Sequence, residues 1–247
     1  MPLSEDSPSE DEPLNPATRK KLGFVRVLAG VVGIGLGLLV LVVGIAFFWF
    51  NFYSGGLPDM KALGLYTPAQ ANRVSDPCLG ESTAIPYDAI GDNLRAALNA
   101  AEGNASAERQ HQTSISIQIS RSMFCAPSKT LPRELNEART AAQLERRFSR
   151  PELLTIYANR ARFGSQFVGV ESASEYYFGK APNQLGIGDA ALLAGLLKGP
   201  AYYAPDKHPD RALQRRNAVV DSMVSTHSIS LEDANIAEAS AVTLAIR

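Results

Sequence analysis

The sequence predicts an all-α domain preceded by a single transmembrane helix, on three observations. An uncharged apolar run near the N-terminus is long enough to span a bilayer. Beyond it, one segment after another carries apolar residues at three-and-four spacing, and clear period-two alternation occurs in only one short stretch.

In chain order, residues 1–23 read as a disordered cytoplasmic tail, because SEDSPSEDE offers almost nothing to bury. Residues 24–53 read as the anchor: no charge occurs from Val27 to Phe50, enough to cross ~30 Å of hydrocarbon at ~1.5 Å per residue. A cleaved signal peptide would carry a shorter apolar core and a small-residue cleavage site, whereas this run ends in Phe47, Phe48, Trp49 and Phe50. Arg19, Lys20, Lys21 and Arg26 precede the span, only Lys61 follows closely, and Phe52 and Tyr53 extend the aromatic exit, so the tail is expected inside and the domain outside. Gly33 and Gly37 have the spacing that lets two such helices approach closely, though glycine is common in membrane helices for other reasons.

Residues 54–84, rich in Gly, Pro, Asp and Ser with weak periodicity, are expected to be a stalk, and residues 85–247 the domain. Leu94, Ala97, Leu98 and Ala101 predict a helix over 90–102 that ends at Glu102, just ahead of Gly103. From Gln112 to Ile119 the pattern alternates, which by periodicity reads as a strand. Thr130 is a candidate N-cap with Pro132 in the first turn, and Leu135, Ala138, Ala142 and Leu144 onward form the expected apolar face of the helix it starts. Ser149 and Glu152 have capping-box spacing, starting a helix that carries Leu153, Ile156 and Tyr157 inward to about Asn159. DAALLAGLLK, Asp189 to Lys198, is apolar almost all round and reads as a buried central helix stopped by Gly199 and Pro200. Two further helices follow, over 208–224 and from Ser230 onward.

A formal net charge of −1 and a pI near 6.3 exclude the basic footprint of a nucleic-acid binder. His111, His208 and His227 are scattered without ligand spacing to Cys78 and Cys125, so no metal site of that kind is expected. The two cysteines fall on the external side, where they either form a disulfide or stay as buried thiols.

Read in order, TLPRELNEA, LERRFSRPELLTIYANRARFG, GVESASEYYFGKAPNQL and DAALLAGLLKGPAYYAPDKHPDRALQRRNAVVDSM resemble the membrane-anchored peptidoglycan glycosyltransferases, over about Ile85 to Leu244. The resemblance is carried by Tyr157 and Asn159 (Y-x-N), Phe163 and Gly164, then Tyr177, Phe178, Gly179 and Lys180. A final arginine pair with Val and Met on the next turns, Arg215, Arg216, Val219 and Met223, looks structural. No active-serine transpeptidase motif follows before Arg247, so the likeness is to the monofunctional branch rather than to bifunctional penicillin-binding proteins.

The resemblance implies a lysozyme-like helical fold, with helix instead of strand over Gln112 to Ile119, and polymerisation of lipid II outside the bacterial cytoplasmic membrane. A sugar hydroxyl would attack the anomeric carbon of a donor whose lipid pyrophosphate leaves. Such a site needs a base and cationic or hydrogen-bonding groups for the departing polyanion. Onto the family's first motif falls Glu102, the candidate base. The motif's next residue is Gly103 rather than Asp, and the stretch from Glu102 to Thr113 is short against the family's. The second motif survives in shuffled form as Gln112, Thr113, Ser114, Gln118, Arg121 and Ser122. Of these, Thr113, Ser114, Gln118 and Arg121 are candidate substrate contacts, with Arg121 either gripping a phosphate or lying solvated. The third supplies Arg133 as a further substrate contact and Glu137 as a second catalytic carboxylate. Glu134 stands where the family has lysine, a change that weakens binding of an anionic donor.

By resemblance Glu137 holds the site's cations or a divalent metal near the leaving group; by spacing alone it is a helical ion pair with Arg133. A divalent cation, Mg or Mn, is thus the one cofactor the resemblance admits. The implied partners are lipid II, the nascent glycan strand, the membrane and other cell-wall synthesis proteins. Three rival readings stay open: a degenerate homologue that binds lipid II or glycan as a scaffold, a lytic enzyme with paired carboxylates, and a helical domain with no glycan cleft, in which Glu102 and Glu137 sit on separate faces.

Overall fold

The structure is a computed structural model that describes residues 16–53, 58, 60–108, 115–125, 131–164 and 166–245. The chain divides between Gly55 and Gly56 into two units.

The first unit contains α1 (Pro16–Tyr53). Within it Ala29–Phe50 is long and apolar enough to cross a membrane, and Val31, Leu36, Leu41 and Phe47 are all exposed. An apolar surface of that kind suits lipid on every side.

The second unit begins before the expected domain boundary. A 3₁₀ turn at Met60–Tyr66 and an antiparallel hairpin, β1 (Asn72–Asp76) and β2 (Gly80–Ala84), occupy the segment expected to be a stalk. Leu63, Tyr66, Val74 and Ala84 are buried in the domain core, so residues 60–84 are part of the domain rather than a spacer. The turn is closed by Asp76, whose Oδ1 accepts from Cys78 N at 2.8 Å and Leu79 N at 3.1 Å. A short aspartate can do this locally, which is why a run rich in turn residues hides a hairpin.

The short α2 (Tyr87–Ile90) is separated from α3 (Asp92–Glu108) by Gly91 at φ +80°. There a Cβ would meet the Asn183 backbone at 2.5 Å, so only glycine fits. Helix α3 runs through Gly103, so Glu102 is an interior helical residue rather than the helix end expected from the glycine. One glycine costs about 1 kcal/mol in a helix, which tertiary packing of Leu94, Ala97, Leu98 and Ala101 outweighs.

Next come α4 (Ile115–Met123) and α5 (Leu131–Arg147). The described part of the alternating stretch, from Ile115, is therefore helix, with Ser116, Ile119 and Ser120 buried at three-and-four spacing. On α5 the buried residues are Asn136, Glu137, Thr140, Ala141 and Leu144, whereas Leu135 and Ala138 are exposed. The inward stripe is thus rotated from the apolar face expected. Thr130, the expected cap, lies outside the described residues.

Helix α6 (Arg150–Arg160) opens on the expected capping box, Ser149 N donating to Glu152 Oε2 at 2.7 Å. It is followed by α7 (Val170–Phe178), α8 (Ile187–Leu196), α9 (Pro209–Ser225) and α10 (Leu231–Ala239). Helix α8 is buried from Ala190 to Leu196 and packs on α3 and α9, forming the centre of the domain. Two buried polar side chains pin the frame. Asn159 accepts from Ile85 N at 3.1 Å and donates to Tyr66 O at 3.0 Å and Ile85 O at 2.8 Å. Arg216 donates to Ser240 O at 2.9 Å and Glu238 O at 2.7 Å, tying α9 to the end of α10. Among the described residues of this unit, strand structure is confined to the hairpin and one isolated bridge, Arg162 to Val168.

Candidate active-site cleft

Helices α4, α5 and α6 and the hairpin turn enclose a cleft of about 870 Å³. Gln118, Arg121, Arg133, Glu134, Glu137, Tyr157, Arg160 and Arg162 all line it. Glu137 is the hub of one wall: its side chain is largely buried, Arg121 Nε donates to Oε2 at 3.1 Å, and Arg133 Nε donates to Oε1 at 2.9 Å. Helical spacing places Arg133 one turn before Glu137, while Arg121 reaches across from α4. Arg133 also donates to Phe124 O at 3.2 Å and stacks its guanidinium over the Phe124 ring at 5.1 Å. The half-exposed Arg121 and the guanidinium of Arg133 thus face one concavity from two helices.

Glu102 is reached through α6. Tyr157, itself lining the cleft, donates its hydroxyl to Glu102 Oε1 at 2.6 Å. Burial, and after it the Glu102 carboxylate, push the Tyr157 hydroxyl well above the usual phenol range, so the tyrosine keeps its proton and donates it. Glu102 itself is half-buried and set behind this ring rather than in the cleft lining. Of the two candidate carboxylates, Glu137 lines the cleft, and Glu102 touches it only through its hydrogen bond from Tyr157.

The opposite wall was not anticipated. Arg160, buried at the end of α6, pairs with Asp76 Oδ2 at 2.5 Å and donates to Ser122 Oγ and Ser122 O, each at 3.0 Å. Tyr66 donates to the same Asp76 oxygen at 3.0 Å, with Arg160 over its ring. Burial pushes the Asp76 carboxyl up, but the Arg160 guanidinium and the hydrogen bonds from Cys78 N, Arg160 and Tyr66 outweigh it and hold the carboxyl below its ordinary value. Burial raises the Tyr66 hydroxyl to about 12. Arg162, exposed, donates to Cys78 O at 3.1 Å. The signal that was available is NRARFG, two arginines directly after the Y-x-N signature at a helix end.

Cys78 and Cys125 form a disulfide at the rim of the cleft, resolving the alternatives the sequence leaves open. Of the expected substrate contacts, Gln118, Arg121 and Arg133 come together here, whereas Thr113 and Ser114 lie outside the described residues. A divalent cation does not fit the groups present: both Glu137 oxygens are engaged by guanidiniums, and no cluster of three His, Cys, Asp or Glu occurs among the described residues.

Residues 85–224 match the family model described as Transglycosylase. The chain is 32% identical to penicillin-binding protein 1A of Aquifex aeolicus, across 84% of this chain and 32% of that protein. It is 34% identical to penicillin-binding protein 1A of Escherichia coli, across 56% of this chain and 16% of that one, and 33% identical to penicillin-binding protein 1F of Bacillus subtilis, across 55% and 19%. A crystal structure of penicillin-binding protein 1A from Haemophilus influenzae aligns with a TM-score of 0.37 at 25% identity, covering 53% of this chain and 16% of that one. The chain spans about a third of the length of the Aquifex relative and less of the others.

Proposed function

The chain belongs to the transglycosylase family, and on that premise we propose that it is a peptidoglycan glycosyltransferase that extends glycan strands from lipid II. The observation that carries this reading is the cleft in which Arg121 and Arg133 converge on Glu137 beside the Tyr157–Glu102 pair.

The roles follow from charge. The donor's diphosphate leaves as a polyanion, and Arg121 and Arg133, preorganised by Glu137 rather than by the ligand, offer it N–H donors without reorganisation at the moment of bond breaking. Glu102 takes the proton from the attacking sugar hydroxyl as the new C–O bond forms and the bond from the anomeric carbon to the diphosphate oxygen breaks. Tyr157 donates to Glu102 Oε1, which fixes the rotamer and orientation of the carboxylate. Gln118 adds a neutral amide for sugar or phosphate oxygens. Helix α1 would hold the domain at the surface from which a lipid-linked donor is drawn, with its N-terminus cytoplasmic by the lysine and arginine bias.

A second reading, a lipid II- or glycan-binding scaffold, is favoured by two observations: Glu102 stands behind Tyr157, and Glu134 places an extra anion in the cleft. One assay separates the two. The full chain in detergent is given labelled lipid II, beside the Glu102→Gln variant. Glycan polymer from the wild type that is absent with the variant is the expected result; lipid II binding with no polymer from either protein would replace it with the scaffold reading.

A further inference from the structure

We infer that the Cys78–Cys125 disulfide is a positioning bond that holds Arg162 and Arg133, which both line the cleft, as one binding set for a diphosphate. The inference rests on the reading of the cleft given above, and deepens it by assigning two cysteines and an arginine that the transferase motifs do not contain.

Both cysteines line the cleft, and each carries an arginine anchor. The carbonyl of Cys78 accepts from Arg162 at 3.1 Å, while the Cys78 N–H is held by Asp76. The carbonyl of Phe124, one residue before Cys125, accepts from Arg133 at 3.2 Å, with the Phe124 ring beneath the guanidinium. The path from Arg162 through Cys78, the sulfurs, Cys125 and Phe124 to Arg133 therefore runs through a covalent bond in the cleft lining, with the two cysteine Cα atoms 4.7 Å apart.

Charge accounting distinguishes Arg162 from its neighbours. Among the described residues Arg121 and Arg133 pair with Glu137 and Arg160 pairs with Asp76, whereas Arg162 makes no carboxylate ion pair. Its carbonyl bond engages one N–H and leaves the charge for a ligand. A diphosphate presents oxygens on two phosphorus centres, a span suited to two guanidiniums rather than one. Without the disulfide, the hairpin turn and the end of α4 stay joined through the Asp76–Arg160–Ser122 contacts, so each anchor persists, but their separation is set by an ion pair and hydrogen bonds instead of a covalent bond.

The test is calorimetric titration of inorganic pyrophosphate into the full chain in detergent, comparing wild type, Cys78→Ser/Cys125→Ser, Arg162→Gln and the triple variant. The serine pair and Arg162→Gln are each expected to weaken binding about tenfold, the size of one charge-assisted hydrogen bond. The triple variant should lose less than the product of the two, because both changes break one set. A purely stabilising disulfide would lower the melting temperature and leave affinity unchanged. That result, or losses that multiply, overturns the inference.

If the serine pair fails to fold, the wild type is read before and after treatment with a dithiol, which converts the disulfide to two thiols and is itself oxidised to a cyclic disulfide. Affinity lost on reduction and restored on reoxidation supports the positioning role; affinity unchanged by reduction contradicts it. Absence of pyrophosphate binding by the oxidised wild type also overturns the inference, and leaves the lipid II polymerisation assay to judge the transferase reading separately.

Discussion

Two regions of the domain bury helix faces in opposite ways. Where α3, α8 and α9 meet, the interior is Leu94, Leu98, Leu192, Leu193, Val220 and Met223, with Ser222 donating to Ala100 O at 2.8 Å as a buried polar link. Where α4 and α5 meet, beside the cleft, the buried set includes Ser116, Ser120, Asn136, Glu137 and Thr140, with Ser120 donating to Glu137 O at 3.0 Å. The first interface gains about 25 cal/mol for each Å² of apolar surface removed from water. The second, where Ile119, Ala141 and Leu144 share the interior with these polar side chains, gains less that way and depends more on polar groups finding partners. The difference separates the part of the molecule that holds the fold from the part that lines the cleft with charged side chains.

Arg160→Gln should break the polar side hardest, because it leaves Asp76 buried without its cation; a loss of about 3–5 kcal/mol in denaturant unfolding is expected. Leu193→Ala attacks the apolar side. It should cost about 2–5 kcal/mol and leave pyrophosphate affinity unchanged in protein that remains folded, since the cavity lies away from the cleft lining. Acid titration sharpens the contrast further. The folded state holds Asp76 below its unfolded value, so its contribution is present above the unfolded pKa and is lost as pH falls through the folded one. Asp76→Asn should therefore show a flatter loss of melting temperature below about pH 4 than the wild type. The smallest effect is reserved for Thr140→Val. The Thr140 hydroxyl is fully buried without a hydrogen-bond partner among the described residues, so valine should stabilise, by at most about 1 kcal/mol. A large destabilisation would mean that the polar seam is satisfied at Thr140 after all.

The same contrast explains what the sequence discloses. Helices α8 and α9 advertise themselves because burial and apolarity coincide, and Ser149 with Glu152 marks the start of α6 by local chemistry alone. On α5 the buried residues are polar, so Leu135 and Ala138 draw the apolar face to the wrong side. Tyr66 and Asp76, inside a segment whose glycines, prolines and aspartates read as a stalk, form a network with Arg160, distant in sequence on α6. Of the site, Gln118, Arg121, Arg133 and Glu137 are legible through their likeness to known motifs and do share one cleft. The placement of Glu102 behind Tyr157 is not, because only the packing of α3 on α6 sets it.

The central claim is a division of labour: Glu102 acts on the proton in flight, and the Arg121–Glu137–Arg133 cluster holds the donor. Initial rates of lipid II polymerisation across substrate concentration, for wild type, Glu102→Gln and Arg121→Gln, test it most directly. The account predicts that Glu102→Gln lowers kcat by about 10²–10⁴ with KM nearly unchanged, and that Arg121→Gln raises KM by about tenfold or more, as loss of one charge-assisted contact does. Full activity in Glu102→Gln, or an unchanged KM in Arg121→Gln, would contradict it.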